Sequence, residues 1–324
     1  SKLSVEISEI EISESDFSAL EEKMNAVEKV DTDFMSYYDL KHMEFFERDA
    51  TDGLKIPFAF DENKNLVDLE IGDTTPHALL SGSTGSGKSV TLHTIINQIM
   101  IHYHPADVEI WAIDYKAVEF GYYVNKRTPH ISVIGQDNSD DFTYGLIDLI
   151  QAEYNRRKNL FVQTDCKDFK AYRKRCGKRS LSRILIIVDE FHNMTQAISK
   201  PVGNGDYKEK LENLLSEMRA MGMHFLFCSQ TIAAGLNGLT EKGRNQIGCR
   251  LSMKHEDVTE IKETLSLSLS SGVDFESIKY LRQGELIYKK VSNEPGQSKY
   301  ALIRLNVLYT EQYRGGIIDQ VNAH

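Results

Sequence analysis

Cysteine is scarce in this chain. Cys166, Cys176, Cys228 and Cys249 form no C-x-x-C pair and lack the spacing of metal ligands. Neither a zinc module nor a disulfide framework is expected, and the thiols read as the reduced ones of a cytoplasmic protein. Long apolar runs are missing as well. None approaches the roughly 20 residues that a membrane-crossing helix needs. No secretory signal, internal repeat or low-complexity tract appears. The chain begins Ser1-Lys2 rather than with Met, so it reads as part of a longer protein. A membrane anchor elsewhere in that protein is compatible with everything seen.

An even spread of charge is the third absence. The net charge is −10 over 324 residues, but residues 1–49 hold 14 Asp/Glu and 5 Lys/Arg, a balance of −9. The other 275 residues therefore sum to about −1. Within that neutral body, Arg156 to Arg183 is strongly basic, opposed only by Asp165 and Asp168. Such a segment has two readings: a stripe that tracks nucleic-acid phosphates, or a solvated helix face with salt bridges.

What the chain does contain is a phosphate loop. His77-Ala78-Leu79-Leu80 is a short apolar run with the profile of a buried strand. Gly82, Ser83, Thr84, Gly85, Ser86, Gly87, Lys88 and Ser89 then match G-x-x-x-x-G-K-[ST], and a helical apolar pattern starts at Val90. Glycines permit the backbone angles and close approaches such a loop needs. Its N–H groups and the positive end of the helix dipole face phosphates. Residues 82–90 are thus the expected nucleoside-triphosphate-binding set, with Lys88 on the β and γ phosphates and Ser89 on Mg²⁺.

A second signal lies about a hundred residues on. Arg183-Ile184-Leu185-Ile186-Ile187-Val188-Asp189-Glu190 describes a buried parallel strand ending in two carboxylates. Open α/β sheets bind ligands at that edge. Asp189 is expected to hold Mg²⁺ through water, and Glu190 to polarise the attacking water. Gly222 to Gln230 is a further apolar strand, and Gln230 at its end either senses the γ-phosphate or merely caps the strand. His102 and His104 read as polar residues at a helix end rather than a metal pair, and Trp111 as core.

Residues 1–52 form an acidic leader, in which Ser4 to Ile12 alternates as a strand does and Ser18 to Val30 is helical, with Ser18 and Glu21 spaced as a capping box. Gly53 marks the expected boundary, residues 53–316 the ATPase domain and 317–324 a tail. A hairpin is expected over 55–71, turning at Asp61–Asn65. Beyond it, strands at 77–81, 108–114, 131–134, 184–189, 224–229 and 248–253 alternate with helices at 88–102, 139–163, 166–176, 207–221 and 256–265. That alternation predicts an α/β fold with a mainly parallel sheet flanked by helices. Loop 199–206 carries Pro and Gly and should be exposed.

Together these motifs resemble the FtsK/SpoIIIE family of hexameric motor ATPases, within the FtsK–HerA group of RecA-like P-loop proteins. The resemblance spans about residues 54–315. It rests on "IPFAFDENKNLVDLEI" leading to "PHALLSGSTGSGKSV", and on "VEIWAIDYKAVEF", "TPHISVIGQD", "AEYNRRKNLF", "ILIIVDEF" and "MRAMGMHFLFCSQ". Asp114 and Lys116 fit the family's strand–Ile–Asp–x–Lys element, and Arg219 matches a family position before the Gln strand. "NQIGCRLSMK" is similar to the segment whose arginine approaches the neighbouring subunit's nucleotide. That makes Arg250 the first candidate for an arginine acting in trans, with Arg244 behind it. The chain departs from the family at Tyr115, usually Pro, and at Thr231-Ile232, usually Arg-Pro, and it lacks the winged-helix module that reads DNA orientation.

The resemblance implies an ATP- and Mg²⁺-dependent motor working as a homo-hexameric ring. Its cargo is expected to be double-stranded DNA, in chromosome movement, conjugation or defence. The alternative is a secreted protein substrate, as in type VII export motors. A degenerate module serving only as a scaffold is disfavoured by the intact Lys88, Ser89, Asp189 and Glu190.

Overall fold

The computed structural model describes residues 33–200, 206–291 and 300–324. The leader's expected strand and helix fall outside the described residues, as does most of loop 199–206. Among the described residues, ten strands join one sheet, in the order β2-β1-β10-β9-β8-β3-β7-β6-β4-β5. Their ranges are β1 Gly53–Phe60, β2 Leu66–Gly72, β3 His77–Ser81, β4 Val108–Asp114, β5 Ile131–Gly135, β6 Arg183–Asp189, β7 Met223–Ser229, β8 Ile247–Ser252, β9 Glu285–Val291 and β10 Tyr300–Val307.

The six strands from β8 to β5 pair in parallel. Every residue of β3, β6 and β7 is buried. That explains their unbroken apolar runs: a parallel strand covered by helices on both faces has no solvent side to alternate toward. The remaining four strands are antiparallel. The β1–β2 hairpin turns where expected, with Asp61 Oδ1 accepting from the backbone of Asn63 and Asn65.

Helix α1 (Lys88–His102) is buried almost all round, its apolar residues in the core and its buried polar ones bonded, as Thr94 is to Leu308 O and Asn97 to Thr310 Oγ1. Helix α2 (Asp140–Gln163) starts where Ser139 Oγ accepts from the Phe142 amide, and α3 (Phe169–Cys176) where Asp168 accepts from Ala171. Both, with α4 (Phe191–Ile198) and α5 (Tyr207–Glu217), cover one sheet face over the main apolar core. The expected helix 207–221 ends at Glu217 and finishes as a 3₁₀ turn, Met218–Met221.

Two domain boundaries differ from expectation. Contacts divide the chain between Asp31 and Thr32 rather than at Gly53. Phe34 and Ala50 are fully buried, and the Phe34 amide bonds Tyr309 O at 3.1 Å. The expected tail at 317–324 lies largely in helix α6 (Arg314–Ala323), which packs on α1 through buried Ile317, Ile318 and Val321. Their apolar side chains sit too far from the motifs to be assigned by sequence alone. No helix among the described residues is long and apolar enough to cross a membrane.

Candidate functional site

The parallel strands end in register. Asp114 pairs with Asp189, Asp189 with Cys228, and Ser81 with Ser229, so their C-terminal ends form one row. The phosphate loop leaves β3 into this row and is tied down from three sides. The Gly82 amide bonds Ser229 O, the Ser83 amide bonds Lys254 O, and the Gly284 amide bonds Ser86 O. Gly87 has φ +102°, and a Cβ there would come within 3.0 Å of the Gly284 nitrogen. Only glycine meets both constraints. As N-cap of α1 it supplies no side-chain cap, so the helix's first N–H groups remain available to an anion.

The loop borders a cleft of about 370 Å³. Ser83, Thr84, Gly85, Gly87, Lys88, Ser89 and Val90 line it, together with Asp189, Glu190 and Gln230. Gly82 and Ser86 lie beneath the loop, buried. Lys88 Nζ is paired with Asp189 Oδ1. Burial works against the ammonium, but the facing carboxylate outweighs it and raises the Lys88 pKa. Thr84 Oγ1 donates to Gln230 Oε1 at 3.0 Å.

Glu190 sits at φ +54°, ψ +48°, a left-handed conformation uncommon outside glycine. The sharp turn into α4 leaves its side chain 1% exposed and facing the cleft. Oε1 accepts from Lys116 Nζ at 2.5 Å, while Oε2 lies 3.3 Å from His192 Nδ1 and 3.4 Å from Ser229 Oγ. Burial pushes its pKa up. The hydrogen bonds from His192 and Lys116 and the charges of Lys88 and Lys116 overcome that and bring it to about 2. Asp114 accepts from the amides of Lys116, Val118 and Glu119, curling the loop after β4 back over the cleft. Ser89 Oγ donates to Glu119 Oε2 at 2.7 Å.

Mg²⁺ is implied by such a site. Beside the ammonium groups of Lys88 and Lys116, the cleft offers oxygen donors at Ser89, Asp189 and Glu190. Among the described residues no group of three or more His, Cys, Asp or Glu could hold a metal by itself. That donor set fits Mg²⁺, which takes one or two carboxylates and completes its shell with water and phosphate oxygens.

Arg250 requires a correction. It is not presented to a neighbour: its guanidinium donates to Ile247 O, Glu263 O, Thr264 O and Arg244 O at 2.9–3.1 Å, and it is 5% exposed. Four carbonyl bonds make it a brace between β8 and the helix over Val258–Leu265. Arg244 is half-buried, whereas Arg219 is exposed and donates one bond, to Asp73 O.

The basic segment resolves mainly into internal pairing. Arg157 is buried on Glu153 and the carbonyls of Ser182 and Met221. Arg173 is buried on Asp107, and Arg183 on Ala50 O, Thr51 O and His224. Arg156, Lys170, Lys178 and Arg179 also meet carboxylates. This favours the salt-bridge reading of the segment. The partners at 49, 52, 107 and 153 lie outside or at the rim of what composition had singled out.

Sequence reasoning missed Glu119 and Gln283, which both line the cleft. Glu119 had a signal, an acid five residues after the strand-ending Asp114. Gln283 had none, since only the Gly284 contact brings it to the loop. His102 is held by Glu47 and Gln98 at the end of α1, and Trp111 is core, as expected.

The family described as FtsK/SpoIIIE matches residues 39–234. The chain is 25% identical over 239 residues to the ESX secretion system protein EccC of Geobacillus thermodenitrificans, covering 71% of this chain and 16% of that protein. It is 29% identical over 199 residues to the DNA translocase FtsK of Leptospira interrogans, covering 59% and 20%. The chain thus spans a fifth or less of these relatives. Among solved structures, the cytoplasmic domain of the type VII secretion ATPase EccC from Thermomonospora curvata superposes with a TM-score of 0.70 at 20% identity, over 88% of this chain and 33% of that one. At that identity the likeness speaks for the fold alone.

Proposed function

The chain belongs to the FtsK/SpoIIIE family of P-loop ATPases, and on that premise we propose that it is a motor subunit that hydrolyses ATP to move double-stranded DNA through a homo-hexameric ring. The observation that carries the reading is the convergence of Lys88, Asp189, Glu190 and Gln230 on one cleft at the C-terminal strand edge.

In this reading residues 82–90 bind the nucleotide, with the amides of Thr84, Gly85 and Gly87 to Val90 turned to the phosphates while those of Gly82, Ser83 and Ser86 shape the loop, and Lys88 exchanges its Asp189 contact for the β and γ phosphates. Ser89 and Asp189 hold Mg²⁺, which neutralises phosphate charge. Glu190 accepts the proton of the attacking water, and Gln230 orients that water or senses the γ-phosphate. Arg219, exposed on the 3₁₀ turn before β7, takes the trans role first given to Arg250. The domain works on the cytoplasmic side, and any membrane attachment comes from other parts of the parent protein.

ATPase activity with and without duplex DNA, at several salt concentrations, tests this. Stimulation that weakens as salt rises is expected; hydrolysis indifferent to DNA rejects the cargo. A second reading, a protein-export motor, is favoured by the internal neutralisation of Arg157, Arg173 and Arg183. It is favoured too by the longer match to the secretion relative. Stimulation by a substrate peptide and not by DNA would select it.

A further inference from the structure

The hydroxyl of Ser89 is not directed at Asp189, which is engaged by Lys88. It donates to Glu119 Oε2 at 2.7 Å. The other oxygen of Glu119 lies 3.1 Å from His93 Nε2. His93 stands one turn after Ser89 on α1, buried, with Nδ1 at 3.0 Å from the Tyr123 hydroxyl and 3.2 Å from Arg314 Nη1. A carboxylate only accepts, whereas tyrosine and arginine can donate. Nε2 therefore carries a hydrogen toward Glu119, while Arg314 Nη1 lies over the ring at 3.2 Å from Nδ1 and 3.3 Å from Nε2. Arg314 is itself fixed by stacking on Tyr122, 3.7 Å from the ring centroid.

Glu119 is therefore held at both oxygens, with groups from α1, the loop after β4 and the start of α6 fixing its place. Its backbone amide is pinned as well, by Asp114 Oδ2 at 2.6 Å. A serine that ligates a cation must turn a lone pair toward the ion and send its hydrogen elsewhere. Here the acceptor for that hydrogen is built in and rigid.

We propose that Glu119 is a positioning residue of the divalent-cation site: it takes the Ser89 hydroxyl hydrogen and leaves the Oγ lone pairs facing the cleft, with His93 and Arg314 holding the carboxylate. The assignment rests on the ATPase reading above and adds to it a residue and a route. Helix α6, beyond the motifs, becomes part of the metal centre's support. Outer-shell partners of metal ligands commonly change metal affinity 10–100-fold when removed.

The test is ATPγS binding, followed by calorimetry in EDTA and across a series of Mg²⁺ concentrations. Glu119→Ala should raise the Mg²⁺ concentration for half-maximal enhancement about tenfold or more, with affinity in EDTA within about twofold of wild type. Glu119→Gln, which can still accept from Ser89, should fall between. In a Ser89→Ala background, Glu119→Ala should add little. An unchanged Mg²⁺ midpoint in Glu119→Ala overturns the proposal, and so does an equal shift in both backgrounds, which would mean direct ligation or a folding defect. If Glu119→Ala does not fold, Arg314→Met gives the decision: a raised Mg²⁺ midpoint supports the relay and a wild-type midpoint rejects it. Failure of the wild-type chain to bind ATPγS at all would reject the ATPase reading instead, a separate result.

Discussion

The ammonium of Lys116 lies 2.5 Å from Oε1 of Glu190 and is one of the groups that bring that carboxylate's pKa to about 2. The proposed base is thus already bonded inside the chain. Lys116→Met removes a hydrogen bond and a positive charge, so the Glu190 pKa should rise. Protonation would then silence the base at higher pH, and the acid limb of the rate–pH profile should move up by about one unit or more. A profile that stays in place would show that Lys116 does not govern the base.

Lys88→Ala should abolish nucleotide binding, because the ammonium is the main point charge offered to the phosphates. It also leaves Asp189 buried without its partner, at a cost of about 3–5 kcal/mol. Adding Asp189→Asn should recover much of that stability and none of the binding. Nucleotide affinity near wild type in either variant would end the phosphate-loop assignment.

Glu190→Gln should bind ATP and fail to turn it over, since the amide can hold water but does not take its proton. Filter binding alongside a phosphate-release assay separates the two. Loss of binding would mean that Glu190 holds the nucleotide rather than activating water.

The two arginines should separate cleanly. Arg250→Ala breaks four bonds to carbonyls from a buried cation and should destabilise the chain by about 3 kcal/mol or more, seen as a lower urea midpoint. Arg219→Ala should leave stability within about 0.5 kcal/mol and reduce hydrolysis on the order of 10³-fold, in assembled rings only. Mixing Arg219→Ala with Glu190→Gln subunits should restore activity, because one interface then joins an intact base to an intact arginine. Rings that assemble, bind ATP and stay inactive would exclude Arg219.

Stability should fall in mild acid. His77 and His130 are fully buried, and burial brings each pKa to about 4. His77 Nδ1 accepts from the Phe225 amide while Nε2 faces Leu215 O, an arrangement only the uncharged ring satisfies. With the folded pKa below the unfolded one near 6.5, the unfolded chain binds more protons as pH drops from 6.5 toward 4. The contribution is full above 6.5 and lost across that window, ~2 kcal/mol per histidine at pH 5. Urea midpoints at pH 7.5 and 5 measure it, and equal midpoints would contradict the burial of these rings.

The parallel half of the sheet was legible because its strands are continuous apolar runs bounded by polar residues. β3 and β4 fall where expected, residue for residue. β9 and β10 were not assigned: their lysines, arginine and half-buried positions dilute the pattern. The site divides along the same line. Lys88, Ser89, Asp189 and Glu190 carry a spacing that geometry demands, so the sequence displays them. Glu119, His93 and Arg314 meet only through folding, separated by up to 221 positions, and no local pattern marks them. Arg250 was given a partner in trans, and the basic segment was left between two readings, for one reason: a charge seen in sequence does not reveal its partner.

The phosphate loop takes its shape from segments made long after it. Ser229, Lys254 and Gly284 each close a bond onto residues 82–86. The frame around the loop is therefore complete only once more than 190 further residues have been made (Gly284 follows Ser89 by 195 positions). A shortened gene ending where the family match ends, at residue 234, would encode every familiar signature and yield a chain in which Lys254 and Gly284 are missing from the loop's frame.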